Sequence, residues 1–358
     1  MGWDIEVIGT LRLQNFRCVE TLSVELGPGA SVFVGDNAQG KTSLLEAVCV
    51  LVRLHSPRTH RLGPVVRVGS PSFGVAGECW GGARRVEYGR EGMKMKVEGE
   101  EIVRQGDYLS GGGLVVWMGN EDLELVRGPG EARRRYLDFA AAQVVPGYLR
   151  DLTRYRRALR ARNLLLKERQ PNREQVAAYT ALLVEHGEPI QRARAMLVES
   201  LLPEVAGAQS RISGERDQTA IEYRPAGGPD LASAFAQAEE REWRVRQTVV
   251  GPHRDDLALQ VNGLAAADFA SEGQQRTLAL ALKLAQGRVL EAKGEGRSPV
   301  YLIDDVFGEL DPVRRNALMA ELPGEAQKLI TTTSVAWMNE ETWEADIFKV
   351  QEGTVSPA

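Results

Sequence analysis

The sequence predicts an α/β fold: a mixed sheet with an antiparallel β-subdomain, interrupted by an inserted helical arm. Three observations predict it. A short apolar run, Ala30 to Val34, meets a glycine-rich loop that opens into a helix. Near residue 130 the apolar spacing changes from alternation to steps of three and four, the period of a helix face. Past Gly251 the chain returns to short strands and helices. The expected organisation is a head in two halves, 1–125 and 247–358, with a helical arm, 126–246, between them.

Each element follows from local pattern. Ile8 to Phe16 alternates as a strand, Ala30 to Val34 is a buried strand, and Ser43 to Leu54 reads as the helix after the loop. Pro71 to Glu78, Arg84 to Tyr88 and Met93 to Val97 are alternating runs split by glycines, which predicts an antiparallel sheet. Gly111-Gly112-Gly113 leads into the buried strand Leu114 to Met118. Leu149, Leu152, Tyr155 and Leu159 share a helix face, and Pro171-Asn172 ends that helix. Val176, Tyr179, Leu183, Ile190, Ala193, Leu197 and Leu201 form a second stripe, so an antiparallel helical hairpin is expected, with a further helix over Leu231 to Arg246. Leu257, Leu259 and Val261 alternate before Asn262-Gly263, a hairpin turn. A helix opening at Ser271, a strand Val300 to Ile303, a helix near Val313 to Leu322 and a strand Lys328 to Thr332 complete the series.

Composition narrows the function classes. A chain of 358 residues is long enough for two or three domains and a sizeable core. No run approaches the ~18 apolar residues of a membrane span, so no membrane role is expected. The start, MGWDIEVIGT, has no basic region ahead of an apolar one, and Ile5 and Glu6 do not complete a myristoylation pattern after Met1-Gly2. The three cysteines, Cys18, Cys49 and Cys79, are far apart, which fits a reduced, cytoplasmic chain. His55, His60, His186 and His253 show no metal-ligand spacing. The net charge of −5 is unevenly placed. Arg127 to Arg169 holds twelve Arg and Lys against four acids, a local +8 that leaves −13 for the remainder. Such a stretch is either a solvated helix face or a nucleic-acid surface.

Three motifs carry chemistry. Gly35-Asp36-Asn37-Ala38-Gln39-Gly40-Lys41-Thr42, with Ser43 following, matches the phosphate-binding P-loop in full. Its glycines let backbone N–H groups face phosphates, Lys41 reaches the β- and γ-phosphates, and Thr42 holds Mg²⁺. Val300-Tyr301-Leu302-Ile303-Asp304-Asp305 reads as a Walker B strand. Asp304 would bind Mg²⁺ beside Thr42, and Asp305 would polarise the attacking water. Ser271-Glu272-Gly273-Gln274-Gln275-Arg276 opens a helix, and Ser-x-x-Gln is also a capping box. Lying after the P-loop and before the Walker B strand, it resembles the signature of ABC-type ATPases. In that architecture Ser271, Gly273 and Gln274 would face the nucleotide of a second subunit. Glu309-Leu310-Asp311 resembles the D-loop of the same architecture. Two positions depart from that pattern. Thr331-Thr332-Thr333 stand where a transporter shows its switch histidine, and Gly119-Asn120-Glu121-Asp122 stand at the Q-loop. Asp305 itself replaces the usual Glu, a shorter base that suggests slow turnover.

Asn15-Phe16-Arg17 resembles the opening of SMC-like ATPases. Further segments match a narrower family: the P-loop, Glu121-Asp122-Leu123, Arg133-Arg134-Arg135-Tyr136-Leu137-Asp138, and Arg162-Asn163 with Leu165-Leu166-Lys167. So do Gly251-Pro252-His253-Arg254-Asp255-Asp256, Gly273-Gln274-Gln275-Arg276-Thr277 and Asp304-Asp305-Val306-Phe307. In this order, across most of the chain, they resemble the RecF family of bacterial DNA replication and repair proteins. The family often has proline where Gly119-Asn120 stands, and it varies at the position of Glu272.

The resemblance implies an ABC/SMC-type P-loop ATPase head with a short helical arm. It implies an ATP-driven homodimer that clamps double-stranded or gapped DNA, and weak DNA-dependent hydrolysis that releases it. It also implies work with RecO and RecR to bring RecA to single-stranded gaps. Under that reading Arg133, Arg134, Arg135, Arg150, Arg154, Arg157 and Arg160 are candidate phosphate contacts, sequence-independent and salt-sensitive. Gly251 to Asp256 is expected to pack the junction of arm and head, because polar turn clusters chiefly fix chain geometry. Two other readings stand beside this one: an SMC-like ATPase that organises DNA structurally, and the nucleotide-binding subunit of an ABC transporter.

Overall fold

The computed structural model describes residues 7–59, 61–80, 82–214, 216–338 and 344–358. The N-terminal readings on Met1 to Glu6, and His60, lie outside the described residues. The chain divides into two compact units, one of Met1–Asp122 with Lys283–Ala358, the other of Leu123–Leu282.

In chain order, β1 (Thr10–Phe16) and β2 (Val19–Glu25) form a hairpin, and β3 (Ala30–Val34) leads through the glycine loop into α1 (Lys41–Arg53). Strands β4 (Ser72–Cys79), β5 (Gly82–Gly89), β6 (Gly92–Val97) and β7 (Glu100–Glu101) meander, then come α2 (Gln105–Ser110) and β8 (Val115–Gly119). The second unit holds α3 (Glu124–Arg127), α4 (Gly130–Val144), α5 (Tyr148–Lys167), α6 (Arg173–Ser213), β9 (Thr219–Arg224), α7 (Leu231–Val245), β10 (Asp256–Val261), β11 (Leu264–Ala265) and α8 (Ala266–Phe269). After α9 (Glu272–Lys293) the chain adds β12 (Val300–Asp304), α10 (Pro312–Glu321), β13 (Lys328–Thr332), β14 (Ala345–Gln351) and β15 (Thr354–Pro357).

The first unit has two six-stranded sheets. One is antiparallel, in the order β2-β1-β4-β5-β6-β7; the other runs β15-β14-β3-β13-β12-β8 and is parallel except for β15. Helix α1 packs on strands of both sheets, and every residue in it except Thr42 is buried. That explains its composition: Leu44, Leu45, Ala47, Val48, Val50, Leu51 and Val52 leave no polar face, as a helix enclosed on all sides requires. The parallel strands read as continuous apolar runs for the same reason.

In the second unit α5 and α6 form the antiparallel hairpin. Asn172 caps α6 by accepting from the Gln175 amide at 3.1 Å. Buried Leu152, Tyr155 and Leu166 meet a stripe of Val176, Leu183, Ile190, Leu197 and Leu201, whereas Leu149, Leu159 and Tyr179 are only half-buried. Strand β10 pairs with β9 along its whole length and α4 packs on β10, which keeps residues 247–282 with the helical unit rather than with the head. Strands β14 and β15 and helix α4 carry no clear local period. Phe348 of β14, for instance, is placed by stacking on Phe33 of β3 at 5.3 Å.

Candidate nucleotide-binding site

The loop after β3 is shaped by its glycines and by the C-terminal hairpin. A Cβ on Gly35 would lie 2.3 Å from the Val350 carbonyl oxygen, so no side chain fits there. Gly40 takes φ 104, the left-handed region that glycine enters freely, and the chain turns at once into α1 two residues earlier than the apolar pattern suggests. Gln39 anchors the outer arm: the Glu352 amide donates to its Oε1 at 2.6 Å and the Gly353 amide to its carbonyl at 3.0 Å. No side chain caps α1, so its N-terminus keeps the donors that suit an anion.

Lys41 Nζ donates back to the carbonyls of Gly35 (2.6 Å) and Asp36 (2.9 Å). Burial lowers its pKa, while Asp305 and Asp304 oppose that shift. Thr42 Oγ1 donates to Asp304 Oδ1 at 2.9 Å, joining two motifs that lie 262 residues apart. Thr331 Oγ1 donates to the same oxygen at 2.7 Å. Burial raises the Asp304 pKa, and these two hydroxyl donors pull it back. Asp305 sits at φ 53, a left-handed conformation that Asp tolerates better than most residues, and its amide donates to Thr331 Oγ1 at 3.0 Å. Its Oδ1 is buried and accepts no hydrogen bond from the described residues. Burial raises the Asp305 pKa and Lys41 lowers it.

These groups line one cavity of about 790 Å³, with Asn37, Ala38, Gly40, Lys41, Thr42, Ser43, Asp304 and Asp305 on its walls. Arg17, Arg58 and Arg67 line it too. Arg17 is held by Glu46, a fully buried carboxylate of α1, through bonds of 2.9 and 2.6 Å. No local pattern marks Glu46, Arg58 or Arg67; Asn15-Phe16-Arg17 was the one signal. Chemically the cavity offers a cradle for phosphates, a buried cation, two hard oxygen donors suited to Mg²⁺, and a carboxylate oxygen free to polarise water.

The positions that depart from the general ABC pattern have structural duties. Thr331 orients both aspartates as described. Thr332 Oγ1 accepts from the Trp337 indole at 3.1 Å. Glu121 accepts from the Trp117 indole at 2.7 Å, and Asp122 pairs with Lys283 at 2.8 Å. Burial pushes the Asp122 carboxyl up to about 6, with Lys283 opposing. Asp311 caps α10 through the amides of Val313 and Arg314.

The remaining predicted residues, Ser271, Gly273 and Gln274, lie in the second unit at the start of α9. The capping box is formed: the Ser271 amide donates to Gln274 Oε1 at 2.9 Å and the Gln274 amide to Ser271 Oγ at 3.3 Å. Gln274 Nε2 donates to Asp217 at 2.8 Å. Three carbonyls, of Ala266, Ala267 and Ala270, accept from Gln275 Nε2 and fix the approach to the motif.

A model of the AAA domain matches residues 10–61, from β1 through α1 and the loop beyond it. A DNA replication and repair protein RecF of Anaeromyxobacter sp. (strain Fw109-5) is 39% identical over 97% of this chain and 98% of its own. The chain belongs to the RecF family. A solved structure of the recombination mediator protein RecF-ATP in the RecFOR pathway superposes with a TM-score of 0.88, at 28% identity, over 100% of this chain and 99% of that one. An Smc head domain with an extended coiled coil, derived from Pyrococcus furiosus, reaches a TM-score of 0.56 at 14% identity over 98% of this chain and 96% of that one. That likeness concerns the fold alone, an ABC/SMC-type ATPase head. Among the described residues no helix is long and apolar enough to cross a membrane, and no group of three or more His, Cys, Asp or Glu could hold a metal.

Several motifs of the RecF resemblance meet in the core of the second unit. Asp255 is fully buried and accepts from Gln191 (2.9 Å), the Ala226 amide (2.8 Å), Arg194 (2.8 Å) and the Tyr223 hydroxyl. Arg194 also holds Asp138 at 2.7 Å and the Pro252 carbonyl at 2.7 Å. Arg162 donates to Glu242 (2.6 Å) and Thr248 (2.9 Å), and Asn163 accepts from the Thr248 amide at 2.8 Å. Gly251 to Asp256 is thus an internal tie of the helical unit, its partners drawn from α4, α5, α6 and β9. Two of the seven arginines expected at phosphates belong to the same tie. Arg133 is bidentate to Asp256 at 2.7 and 3.0 Å and only 13% exposed, and Arg134 donates to the Asp255 carbonyl. Arg135, Arg150, Arg154, Arg157 and Arg160 are exposed.

His253 adds a pH dependence. Its Nε2 lies 3.1 Å from the Thr248 carbonyl and must donate, so Nδ1 accepts from the Tyr155 hydroxyl at 2.7 Å. Burial pushes its pKa down to about 4. The unfolded chain, with a histidine pKa of about 6.5, therefore takes up a proton that the folded chain refuses. The stabilisation from neutral His253 is full above about pH 6.5 and falls as pH drops toward 4, by about 3 kcal/mol in all. Urea unfolding at pH 7, 6 and 5 should show a shallower loss in His253→Gln than in the parent; equal slopes would contradict this assignment.

Proposed function

We propose that this RecF-family chain is an ATP-switched DNA clamp of recombinational repair, acting in the cytoplasm. The observation that carries the reading is the Thr42–Asp304 hydrogen bond of 2.9 Å, which places P-loop and Walker B oxygens at one point inside the nucleotide cavity. The loop Gly35-Asp36-Asn37-Ala38-Gln39-Gly40 would wrap the phosphates of ATP, with Ser43 in the first turn of α1. Lys41 would leave the Gly35 and Asp36 carbonyls for the β- and γ-phosphates. Thr42 and Asp304 would hold Mg²⁺, which supplies charge neutralisation to the phosphates when bound. Asp305 would orient and polarise the attacking water. Its carboxylate is one methylene shorter than Glu, which supports weak hydrolysis.

Ser271 and Gly273 would complete the partner's nucleotide site, with Gln274 shaping the motif, so that ATP joins two copies. In α5, Arg150, Arg154 and Arg157 recur at four and three residues and share an exposed face turned away from buried Leu152 and Tyr155. With Arg160 and Arg135 they would grip phosphates of duplex or gapped DNA. Together with RecO and RecR, the clamp would bring RecA to single-stranded gaps.

Light scattering of the purified chain with ATP and Mg²⁺ should show a dimer, and gel shifts on gapped, duplex and single-stranded DNA should tighten with ATP. Ser271→Arg should keep nucleotide binding by the monomer yet lose both responses, because a long cation replaces the hydroxyl that meets the partner's phosphate. A strictly monomeric parent at micromolar concentration with ATP would overturn the clamp.

A further inference from the structure

We propose that Asp217 is a positioning residue that sets the side-chain orientation of the Ser271–Gln274 signature; the proposal rests on the ATP-dimer reading above. Asp217 lies on the connection between α6 and β9, four residues beyond the end of α6. Its Oδ1 accepts from Gln274 Nε2 at 2.8 Å and from Asn262 Nδ2 at 3.3 Å. Asn262 sits in the β10–β11 turn at φ 54. It is tied to the neighbouring Gln218 twice, by its own amide at 2.7 Å and by its Oδ1 at 2.9 Å. The carboxylate is therefore held from its own segment and from the turn.

The chemistry follows from what a carboxylate can accept. It takes donors only, so the NH₂ end of the Gln274 amide must face Asp217. That leaves the Gln274 Oε1 end toward Ser271, where it accepts from the Ser271 amide at 2.9 Å. A flipped amide would set NH₂ against N–H and break the capping box. With the box intact, Ser271 Oγ accepts from the Gln274 amide, and the hydroxyl hydrogen is left to point outward. An outward hydroxyl donor is what a partner's γ-phosphate would need. Asp217 touches no phosphate in this scheme; it acts through Gln274.

The test compares Asp217→Ala with Asp217→Asn, whose Oδ1 can still accept from Gln274. A hydrogen bond to a carboxylate lost at each site should weaken that site about ten-fold. A two-fold dimer has two such sites, so its dimerisation constant in ATP should fall about a hundred-fold in Asp217→Ala. Asp217→Asn should recover most of it. Binding of a fluorescent ATP analogue by the monomer should not move, and the thermal midpoint should fall by only a few degrees, as a loosened helix cap requires. Asp217→Ala dimerising like the parent, or Asp217→Asn as impaired as Asp217→Ala, would overturn the proposal, provided Ser271→Arg blocks dimerisation in the same assay. If Ser271→Arg also dimerises normally, the signature has no part in the dimer contact and this proposal fails with it; a parent that stays monomeric in ATP fails the dimer reading itself.

Discussion

Lys41→Met is expected to abolish measurable nucleotide binding. The ammonium is buried in the cavity wall and its two present partners are loop carbonyls, which ATP phosphates would replace as better acceptors. Methionine keeps the unbranched apolar stem, one atom shorter, and removes the charge. The Gly35 and Asp36 carbonyls then face a cavity open to water, so the fold should survive. The phosphates would lose a charge-assisted contact that is shielded from water once nucleotide fills the cavity, and truncating one partner of such a contact costs roughly 2–5 kcal/mol. That corresponds to about thirty-fold to several-thousand-fold weaker binding. The loss is compounded because Asp304 and Asp305 lose the cation that offsets their charge. Equilibrium titration with a fluorescent ATP analogue reads the effect directly. A change below about three-fold, with the far-ultraviolet circular dichroism unchanged, would remove Lys41 from the site.

Asp255→Ala should be the most destabilising single change in the helical unit. Four donors converge on this one carboxylate, and its residue has no solvent exposure. Removing it leaves the Ala226 amide, the Gln191 amide and the Tyr223 hydroxyl without that acceptor. Arg194 would keep Asp138 but lose half of its charge pairing. Breaking a buried pair from one side costs roughly 3–5 kcal/mol. For a unit of this size that lowers the thermal midpoint by about 10 °C. Asp255→Asn should also destabilise, since its NH₂ would be set among donors. Differential scanning calorimetry checks both, and a loss under about 1 kcal/mol for the alanine variant would refute the buried tie.

The two predictions differ in how far the sequence already contained them. Lys41 was legible because the P-loop encodes a local backbone shape: Gly35 and Gly40 permit the turn, and the helix start follows within the same eight residues. The Walker B strand was legible through its apolar run and terminal aspartates. The capping box of Ser271 and Gln274 was legible too, being local. Asp255 was visible only as part of an unexplained cluster. Its partners sit on α6, on β9 and in the loop after β9, and no local period links them.

The basic stretch shows the same limit from the other side. Twelve cations between Arg127 and Arg169 are a fact of the sequence. Whether a guanidinium is free for phosphate depends on what the fold brings to it. Arg133 is closed by Asp256, 123 residues away, whereas Arg154 and Arg157 on the outer face of α5 are exposed. Helix α4 escaped local reading because arginines and alanines blur its buried stripe. Strand β14 escaped because pairing with β3, rather than alternation, makes it a strand.

By itself the sequence determined the α/β class, the helical insertion, the P-loop, the order of motifs and the family resemblance. Each of these is written in spacing over a few residues, or in the succession of such segments. Tertiary structure alone decided the assignment of residues 247–282 to the helical unit, the Thr42–Asp304 meeting, the Glu46 anchor of Arg17, the Asp255–Arg194 tie and the Asp217–Gln274 bond. Hydrogen bonds and ion pairs depend on distance and direction in space, and residues tens to hundreds of positions apart acquire both only when the chain is packed.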